Sequence, residues 1–289
     1  MTADLDRLAD DVLRVLTDGA AATPDALSFL LRRYGETGRA DVRDALEPAL
    51  ATALNQPIAT WPPRDRAAWL PVFVAAAALV DDARVPAAVV SLAESLRADF
   101  AAASRVDEAF AIVEARLAAA AVVSPHAIVP DAIDDLERIV GGAYRPGDGL
   151  AHDLRMPGGP RGRIGDHVCA ASALLTAYQV TARIPYAMLA EELMQFARRT
   201  SWDEEAGVFT GAGAAPGEGF ATNCAAARVW CRLASLHAEE EYRAAAVIAP
   251  DAVYAAEAER ILASPLIASA VRGLACATYG LALAEWLAI

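Results

Sequence analysis

Lysine is absent from this 289-residue chain, and all 25 basic residues are arginines. The absence excludes activities that depend on a lysine, such as P-loop nucleotide hydrolysis and Schiff-base chemistry. With 38 acidic residues the formal net charge is −13, and no basic run is present. An acidic chain of this kind is poorly suited to a phosphate backbone, so we expect no binding of nucleic acid.

Cysteine and long apolar runs are also scarce. The four cysteines form no CxxC pair, so we expect reduced, mostly buried thiols. The apolar run "LPVFVAAAALV" at 70–80 is shorter than the roughly 20 residues that cross a bilayer. The N-terminal "MTADLDRLADD" lacks the basic start of a signal peptide. We therefore expect a cytoplasmic protein that does not associate with membranes.

What the chain does contain is helical periodicity and much alanine, within a hydrophobic fraction of 56%. Apolar residues recur at i, i+3, i+4 and i+7 over most of the chain, which indicates amphipathic helices. Prolines and small polar residues, as in "TPD" at 23–25 and "SP" at 264–265, mark helix starts. The pattern predicts twelve helices, near 3–18, 24–35, 40–55, 64–80, 85–101, 105–122, 130–142, 166–181, 185–200, 221–237, 240–261 and 266–288.

The predicted helices repeat in pairs. Leu30, Leu31, Tyr34 and Thr37 are matched by a later helix with the same four residue types, and a looser third copy follows; the two later sets are Leu174, Leu175, Tyr178 and Thr181, then Val229, Trp230, Leu233 and Leu236. Repeats of roughly 45–55 residues indicate stacked helical hairpins, each of which buries its apolar face against its neighbours.

The links between helices alternate in length. Links after "RRYGETG", "LVDDA", "QVTAR" and "SLHAEE" are short, whereas those at 56–63, 143–165 and 201–220 are long. An all-α (α/α)6 toroid of six hairpins, one domain over 1–289, has this arrangement. Its inner helices would begin near 24, 64, 105, 166, 221 and 266, with all long links at one end, and 123–129 as a mild exception. An open α-solenoid that binds peptides shares the local pattern and stays as the alternative.

Two stretches of the second half carry a family resemblance. "GDHVCAASALLTAYQVTARIPYAMLAEELMQFARRTSWDEEAGVFTG" and "GFATNCAAARVWCRLASLHAEEEYRAAA" resemble the toroidal region of bacterial thioredoxin-domain proteins of the spermatogenesis-associated protein 20 type. The shared features are a Leu-Leu-x-x-Tyr-x-x-Thr helix, a second long helix, Trp-Asp-Glu-Glu and a Gly-rich hairpin. The resemblance covers roughly residues 144–248, about a third of the chain.

That family is similar in fold to the N-acylglucosamine 2-epimerases and six-hairpin glycosidases. The resemblance therefore implies an (α/α)6 toroid with a sugar-sized funnel. This chain has no thioredoxin domain, so redox chemistry is not implied. The family tends to have a paired acid where this chain has Asp166-His167, which leaves open any role carried over to that position.

The polar, Gly- and Pro-rich segment 144–165 enters an inner helix at Asp166 and His167, at the predicted mouth of the funnel. Asp166 is a natural N-cap, and capping alone would explain it. His167 is a candidate general acid/base, with a packed loop histidine as the structural alternative. Asp148 and His152 would lie on one side of a short strand or hairpin, with a counterpart at 207–213. We predict a catalytic set of His167, Asp166, His152 and Asp148.

Ligand-binding candidates come from the other mouth loops and inner-helix starts. Carboxylates from different hairpins, Asp107 and Glu108 among them, could converge as an acid/base pair. An exposed indole stacks on sugar rings and arginines bind anionic groups, although a core tryptophan and solvated loop charges are the simpler explanations. The predicted binding residues are Trp61, Asp65, Arg66, Asp153, Arg163 and Asn223.

No cofactor and no metal is expected. Cys169, Cys224, His152 and His167 could in principle bind zinc, but they lack the close ligand spacing of a zinc motif. The leading hypothesis is binding or processing of a carbohydrate-like molecule in the funnel, by an epimerase or a glycoside hydrolase. The alternative is a non-catalytic scaffold with a plugged funnel, which works as a homo-oligomer or with a separately encoded thioredoxin-like partner. A fold supports many activities, so these remain hypotheses.

Overall fold

Helices account for nearly all of the regular structure. The computed structural model describes residues 2–156, 158–211, 218–245, 248–250 and 252–289. In chain order the helices of this part are α1 (Thr2–Thr17), α2 (Pro24–Thr37), α3 (Ala40–Leu54), α4 (Pro63–Ala77), α5 (Arg84–Phe100), α6 (Val106–Ala118), α7 (Pro125–Ala143), α8 (Ile164–Thr181), α9 (Ile184–Ser201), α10 (Glu218–Ala238), α11 (Glu240–Ala245), α12 (Tyr254–Ala263), α13 (Pro265–Ala268) and α14 (Ala275–Trp286). Short 3-10 turns follow α3 and α6, at Ile58–Thr60 and Ala119–Ala121.

Six helices form a closed inner ring. α2, α4, α6, α8, α10 and α14 each pack against the next, and α14 packs back against α2. Six outer helices surround the ring, and each packs against at least one inner helix; they are α1, α3, α5, α7, α9 and α12. The predicted (α/α)6 toroid is confirmed. The open solenoid is excluded because the first and last inner helices are in contact.

The repeated sequence pattern lies in two inner helices of the ring, α2 and α8. α2 and α8 end in the same way: the Thr37 and Thr181 hydroxyls donate to the carbonyls four residues earlier, at 2.6 and 2.7 Å. Each helix then stops at a residue in the left-handed region, Gly38 with φ 65° and Ala182 with φ 56°. A left-handed C-terminal cap turns the chain sharply, and the next outer helix starts directly afterwards.

Two antiparallel hairpins of two-residue strands interrupt the helices. β1 (Tyr144–Arg145) pairs with β2 (Gly149–Leu150), and β3 (Trp202–Asp203) pairs with β4 (Val208–Phe209). They follow α7 and α9 and lead into the inner helices α8 and α10, as predicted from the Gly-rich segments. Residues 212 and 213 of the predicted counterpart lie outside the described residues. The long links thus lie at the N-terminal ends of the inner helices, which form the mouth of the ring.

Three predicted boundaries were wrong. α7 begins at Pro125 rather than 130, because Ser124-Pro125 starts the helix and Pro130 is accommodated inside it. The helix predicted for 240–261 is divided into α11 and α12, and Pro250, which disfavours a helix, lies in a turn between them. The helix predicted for 266–288 is also divided, into α13 and α14, with Gly273 at a φ of 58° before α14.

Candidate functional site

The mouth of the ring contains a cavity of about 920 Å³. The first turns of α4, α6, α8 and α10 form part of its wall, and Asp148, His152 and residues 161–163 form another part. Its charged lining residues are Arg64, Arg105, Asp107, Asp148, His152, Arg161, Arg163 and Asp166. The described residues therefore leave an open space at the place where the sequence predicts a funnel.

His152 and Asp166 form a hydrogen-bonded pair in this wall. Nδ1 of His152 lies 3.0 and 3.1 Å from the two carboxylate oxygens of Asp166. Nε2 of His152 lies 3.1 Å from Nη1 of Arg163. A guanidinium only donates, so Nε2 is the acceptor and the ring proton is on Nδ1, which donates to Asp166. The imidazole therefore presents a basic nitrogen at the cavity.

The backbone holds His152 between two inner helices. Its N–H donates to the carbonyl of Pro160 at 2.9 Å, and its carbonyl accepts from the N–H of Val106, at the start of α6, at 3.0 Å. The N–H of Leu154 donates to the carbonyl of Ser104 at 2.8 Å. The segment is thus attached to α6 while the side chain of His152 contacts α8. This fixes the imidazole next to Asp166, which an unattached loop could not do.

Asp107, in the first turn of α6, is the second carboxyl group of the site. Its side chain is only 6% exposed, and Arg105 donates to both of its oxygens, at 3.0 and 2.7 Å. Arg64 of α4 also donates to Asp107. Burial by itself would raise the pKa of Asp107, but the hydrogen bonds from the two arginines outweigh burial and lower that pKa below its ordinary value. Asp107 therefore stays ionised.

Asp166 behaves in the opposite way. Its side chain is 2% exposed, and burial raises its pKa from 3.8 to about 6, against the opposing hydrogen bond from His152. The nearby charge of Asp107 adds to the increase. Two carboxyls with pKa values pushed apart are a common arrangement at sites of proton transfer.

Asp107, His152 and Asp166 together also make a candidate metal-binding group. Their potential ligand atoms all lie within 4.8 Å of one another. However, two guanidinium groups already bind Asp107, and a third binds Nε2 of His152. Three positive charges at these atoms oppose a divalent cation, so the group fits proton transfer better than metal binding. In the described part of the chain, the thiols of Cys169 and Cys224 do not join His152 and His167 in any such group.

His167 lies in the packed wall rather than at the cavity. It is fully buried, and its ring stacks on Phe196 with 5.0 Å between centroids. Nδ1 donates to the carbonyl of Arg163 at 2.8 Å, and Nε2 accepts from the N–H of Leu150 at 3.3 Å. Burial lowers its pKa and keeps the ring neutral. This position favours the packed loop histidine over the predicted catalytic role. Gly149 makes the packing feasible, because a Cβ there would lie 2.5 Å from Nε2.

Asp166 does not cap its helix as expected. The N-cap residue of α8 is Arg163, and Asp166 is in the first turn with its carboxylate on His152. Of the other predicted residues of this segment, Asp148 and Arg163 line the cavity, and Asp148 is exposed at the rim. Asp153 does not line it; its carboxylate accepts from the N–H of Arg155 at 2.7 Å, within its own turn.

Four predicted ligand-binding residues do not line the mouth cavity. Asn223 is 3% exposed, and its amide group binds both the N–H and the carbonyl of Phe209. Arg66 is buried, donates to the carbonyl of Trp61 at 2.9 Å and pairs with Asp99. Trp61 lies against Trp69, in a separate cavity of about 730 Å³ between α1 and α3. Asp65 is exposed and does not line the mouth cavity.

Arg64 and Arg105 are lining residues that the sequence reasoning missed. Arg105 lies directly before the first apolar residue of α6, where serine, threonine or aspartate is usual. An arginine at a helix N-cap is unusual, and this feature of the sequence could have identified Arg105 as a candidate site residue. Asp107 was noticed only as one of several acids at helix starts, and its contact with Arg64 joins two helices that are far apart in sequence.

No protein-family model matches the chain, and no curated protein matches it by sequence. Among solved structures, the Lin0763 protein of Listeria innocua aligns with TM-score 0.68 and 10% identity, over 92% of this chain and 83% of the other. The α-1,6-mannanase GH76A of Salegentibacter sp. HEL1_6 aligns with TM-score 0.65 and 13% identity, over 98% of this chain and 99% of the other.

These structures share the (α/α)6 toroid of this chain. A variant of the same mannanase, inactivated at two consecutive aspartates and bound to α-1,6-mannotetrose, also aligns, with TM-score 0.64 and 11% identity over 98% of each chain. At this level of identity the similarity establishes the fold. These structures do not support the narrower resemblance to thioredoxin-domain proteins, which rests on sequence motifs alone. No helix in the described ranges is long and apolar enough to cross a membrane.

Proposed function

We propose that the mouth cavity binds a carbohydrate and that His152 is the general base in the hydrolysis of a glycosidic bond. The observation that carries the proposal is the hydrogen-bonded pair of His152 and Asp166, next to Asp107, in the wall of an open 920 Å³ cavity. The volume is within the range of small-molecule sites and accommodates several sugar units. The glycosidase-like fold supports the choice of substrate class.

The contacts suggest a role for each residue. His152 removes a proton from water through Nε2, once a substrate has drawn Arg163 away from that nitrogen. Asp166 accepts a hydrogen bond from Nδ1–H of His152. It thereby orients the ring and stabilises the imidazolium that forms. Asp107 stays ionised between its two arginines and balances developing positive charge. Asp148 lines the same cavity and is our candidate for protonation of the leaving oxygen.

The first test is hydrolysis of a panel of oligosaccharides that includes α-1,6-mannooligosaccharides, with new reducing ends measured by anion-exchange chromatography. The variant His152→Ala should lower the rate by about 100-fold or more, as expected for loss of a general base. His126→Ala is the matched control, since His126 is an exposed histidine at the start of α7. It should leave the rate unchanged.

Three outcomes would contradict the proposal. Deuterium exchange into a monosaccharide in D2O, with no new reducing ends, would indicate epimerisation at the same site. Equal rates in the wild type and His152→Ala would remove His152 from catalysis. Neither binding nor turnover of any saccharide would favour the non-catalytic scaffold. In the described residues Val90 of α5 is the single exposed large apolar residue within one of the six outer helices.

A further inference from the structure

Three arginines at the mouth occupy positions that are electrostatically unfavourable for a cation. Arg105 and Arg163 are the N-cap residues of α6 and α8, and neither side chain caps its helix. Arg64 lies in the first turn of α4. A helix N-terminus carries partial positive charge, so acidic or small polar side chains are preferred there. Arg64 and Arg105 pair with the buried Asp107, but this pairing uses only part of each guanidinium group.

The arginines at the opposite end of the ring show the usual arrangement. Arg32, Arg228 and Arg232 line a cavity of about 820 Å³ near the C-terminal ends of the inner helices. Arg32 donates to a backbone carbonyl, Arg228 donates to Glu285, and Arg232 donates to Ser172. Protein partners account for this second set.

The mouth arginines also keep donors that no side chain uses. Arg64 and Arg105 have side chains 56% and 52% exposed, and both donate to Asp107. Arg163 is exposed and donates through Nη1 to His152. Within the described ranges, Nη2 of Arg64, Nη1 of Arg105 and Nη2 of Arg163 have no protein acceptor. All three residues line the cavity.

The charge of the cavity contrasts with that of the chain. Its lining has four arginines and three aspartates, on a protein with a net charge of −13. Residues near the starts of four inner helices line the same space. A small region of positive potential within an acidic protein attracts an anionic ligand to that place rather than to the surface in general.

We propose that the mouth cavity takes an acidic saccharide, whose carboxylate, phosphate or sulfate group binds between Arg64, Arg105 and Arg163. The planar guanidinium fork matches two oxygens of such an anion. The anion would also relieve the repulsion between these arginines and the helix N-termini. The inference rests on the proposed function and adds the class of substrate.

The test compares matched ligands by isothermal titration calorimetry. One pair is trigalacturonate and its neutral galactose trimer, and the other is glucose 6-phosphate and glucose. The acidic member should bind about tenfold or more tightly, as expected for hydrogen bonds to a charged group. Its advantage should fall between 50 and 300 mM NaCl, because salt screens exposed charges. The pair with the larger preference identifies the anion as a carboxylate or a phosphate.

Variants show where the anion binds. Arg64→Gln and Arg163→Gln should each reduce the preference for the acidic ligand, and Arg64→Lys should retain part of it if Arg64→Gln is unstable. Arg145→Gln is the control, since Arg145 is exposed in β1 and does not line the cavity. Equal binding of acidic and neutral saccharides would overturn this inference and leave the proposed function standing. Absence of any saccharide binding would overturn both. A preference that both mouth variants retain would place the anion elsewhere and also overturn it.

Discussion

Asp107 and Asp166 show how neighbouring residues give two like groups different chemistry. Both carboxyls are buried in the first turns of adjacent inner helices. Two arginines lower the pKa of Asp107, whereas burial raises the pKa of Asp166 to about 6. Ionised Asp166 thus costs free energy in the folded state, which a site of proton transfer tolerates.

The variant Asp166→Asn should change how stability depends on pH. The folded pKa of about 6 lies above the ordinary value of 3.8, so the stability that protonated Asp166 contributes is present below about pH 4 and is lost as pH rises through 6. Asparagine does not titrate. Relative to wild type, the variant should therefore gain about 1–3 kcal/mol of unfolding free energy between pH 4.5 and 7.5. Urea unfolding at both pH values measures it, and parallel pH profiles would contradict the raised pKa.

Gly149→Ala should be more destabilising than the same change two residues earlier. Gly149 has a φ of 69°, and an added Cβ would lie 2.5 Å from His167 and 2.7 Å from Phe196. Backbone strain and overpacking together should cost about 2–4 kcal/mol. Gly147→Ala is the control, because Gly147 has a φ of 81° with nothing within 4 Å of the Cβ position, and should cost only about 1 kcal/mol. Equal losses in thermal unfolding would mean that the wall around His167 is not tightly packed.

Among the elements, equivalent inner helices end by the same device with different residues. α2 ends at Gly38 and α8 at Ala182, both in the left-handed region. The N–H of each residue donates to the backbone carbonyl of the tyrosine four residues before it, at 2.8 and 2.7 Å. Only the alanine has a Cβ that opposes this conformation. The two caps therefore form a natural pair for comparison.

Ala182→Gly should stabilise the protein, and Gly38→Ala should destabilise it. The expected changes are about 0.5–1 kcal/mol in each direction, since glycine takes the left-handed conformation without steric cost. Chemical denaturation of the two single variants measures both changes. A loss of stability in Ala182→Gly would show that the flexibility of glycine in the unfolded chain outweighs the relief of strain.

At the scale of the whole molecule, the contact between α2 and α14 closes the ring. Phe29 of α2 is fully buried, and its ring lies over Gly280 of α14. A Cβ at Gly280 would come within 2.6 Å of that ring. Close approach at this one glycine thus allows the first and last inner helices to meet, which separates a toroid from an open solenoid.

Gly280→Ala should destabilise the ring although alanine is the better helix former. Overpacking against Phe29 should cost about 1–3 kcal/mol. Gly35→Ala, in an exposed part of α2 where the nearest atom is 3.7 Å from the Cβ position, should instead gain about 0.5–1 kcal/mol from helix propensity. Unfolding free energies of the two variants measure the difference. A gain in both would mean that α2 and α14 move apart without a loss of unfolding free energy.

Much of the architecture followed from local patterns. The period of the apolar residues marked nearly all helices, and the alternation of short and long links placed the mouth at one end of the ring. The Gly- and Pro-rich segment 144–165 was assigned to that mouth, and His152, Asp148, Arg163 and Asp166 do line its cavity. Such features depend on residues close in sequence, so a single chain is enough to show them.

The tertiary structure alone decided which of two histidines faces the cavity. His152 and His167 are of the same type and in the same segment, yet His167 is fully buried against Phe196 while His152 meets Asp166. It also decided the contact of Arg64 with Asp107, two residues on different inner helices. The radius of the ring and the path of the long links set these distances. Neither quantity is present in the periodicity of any one helix, which is why the sequence indicated the mouth segment and only the fold determined which side chains meet there.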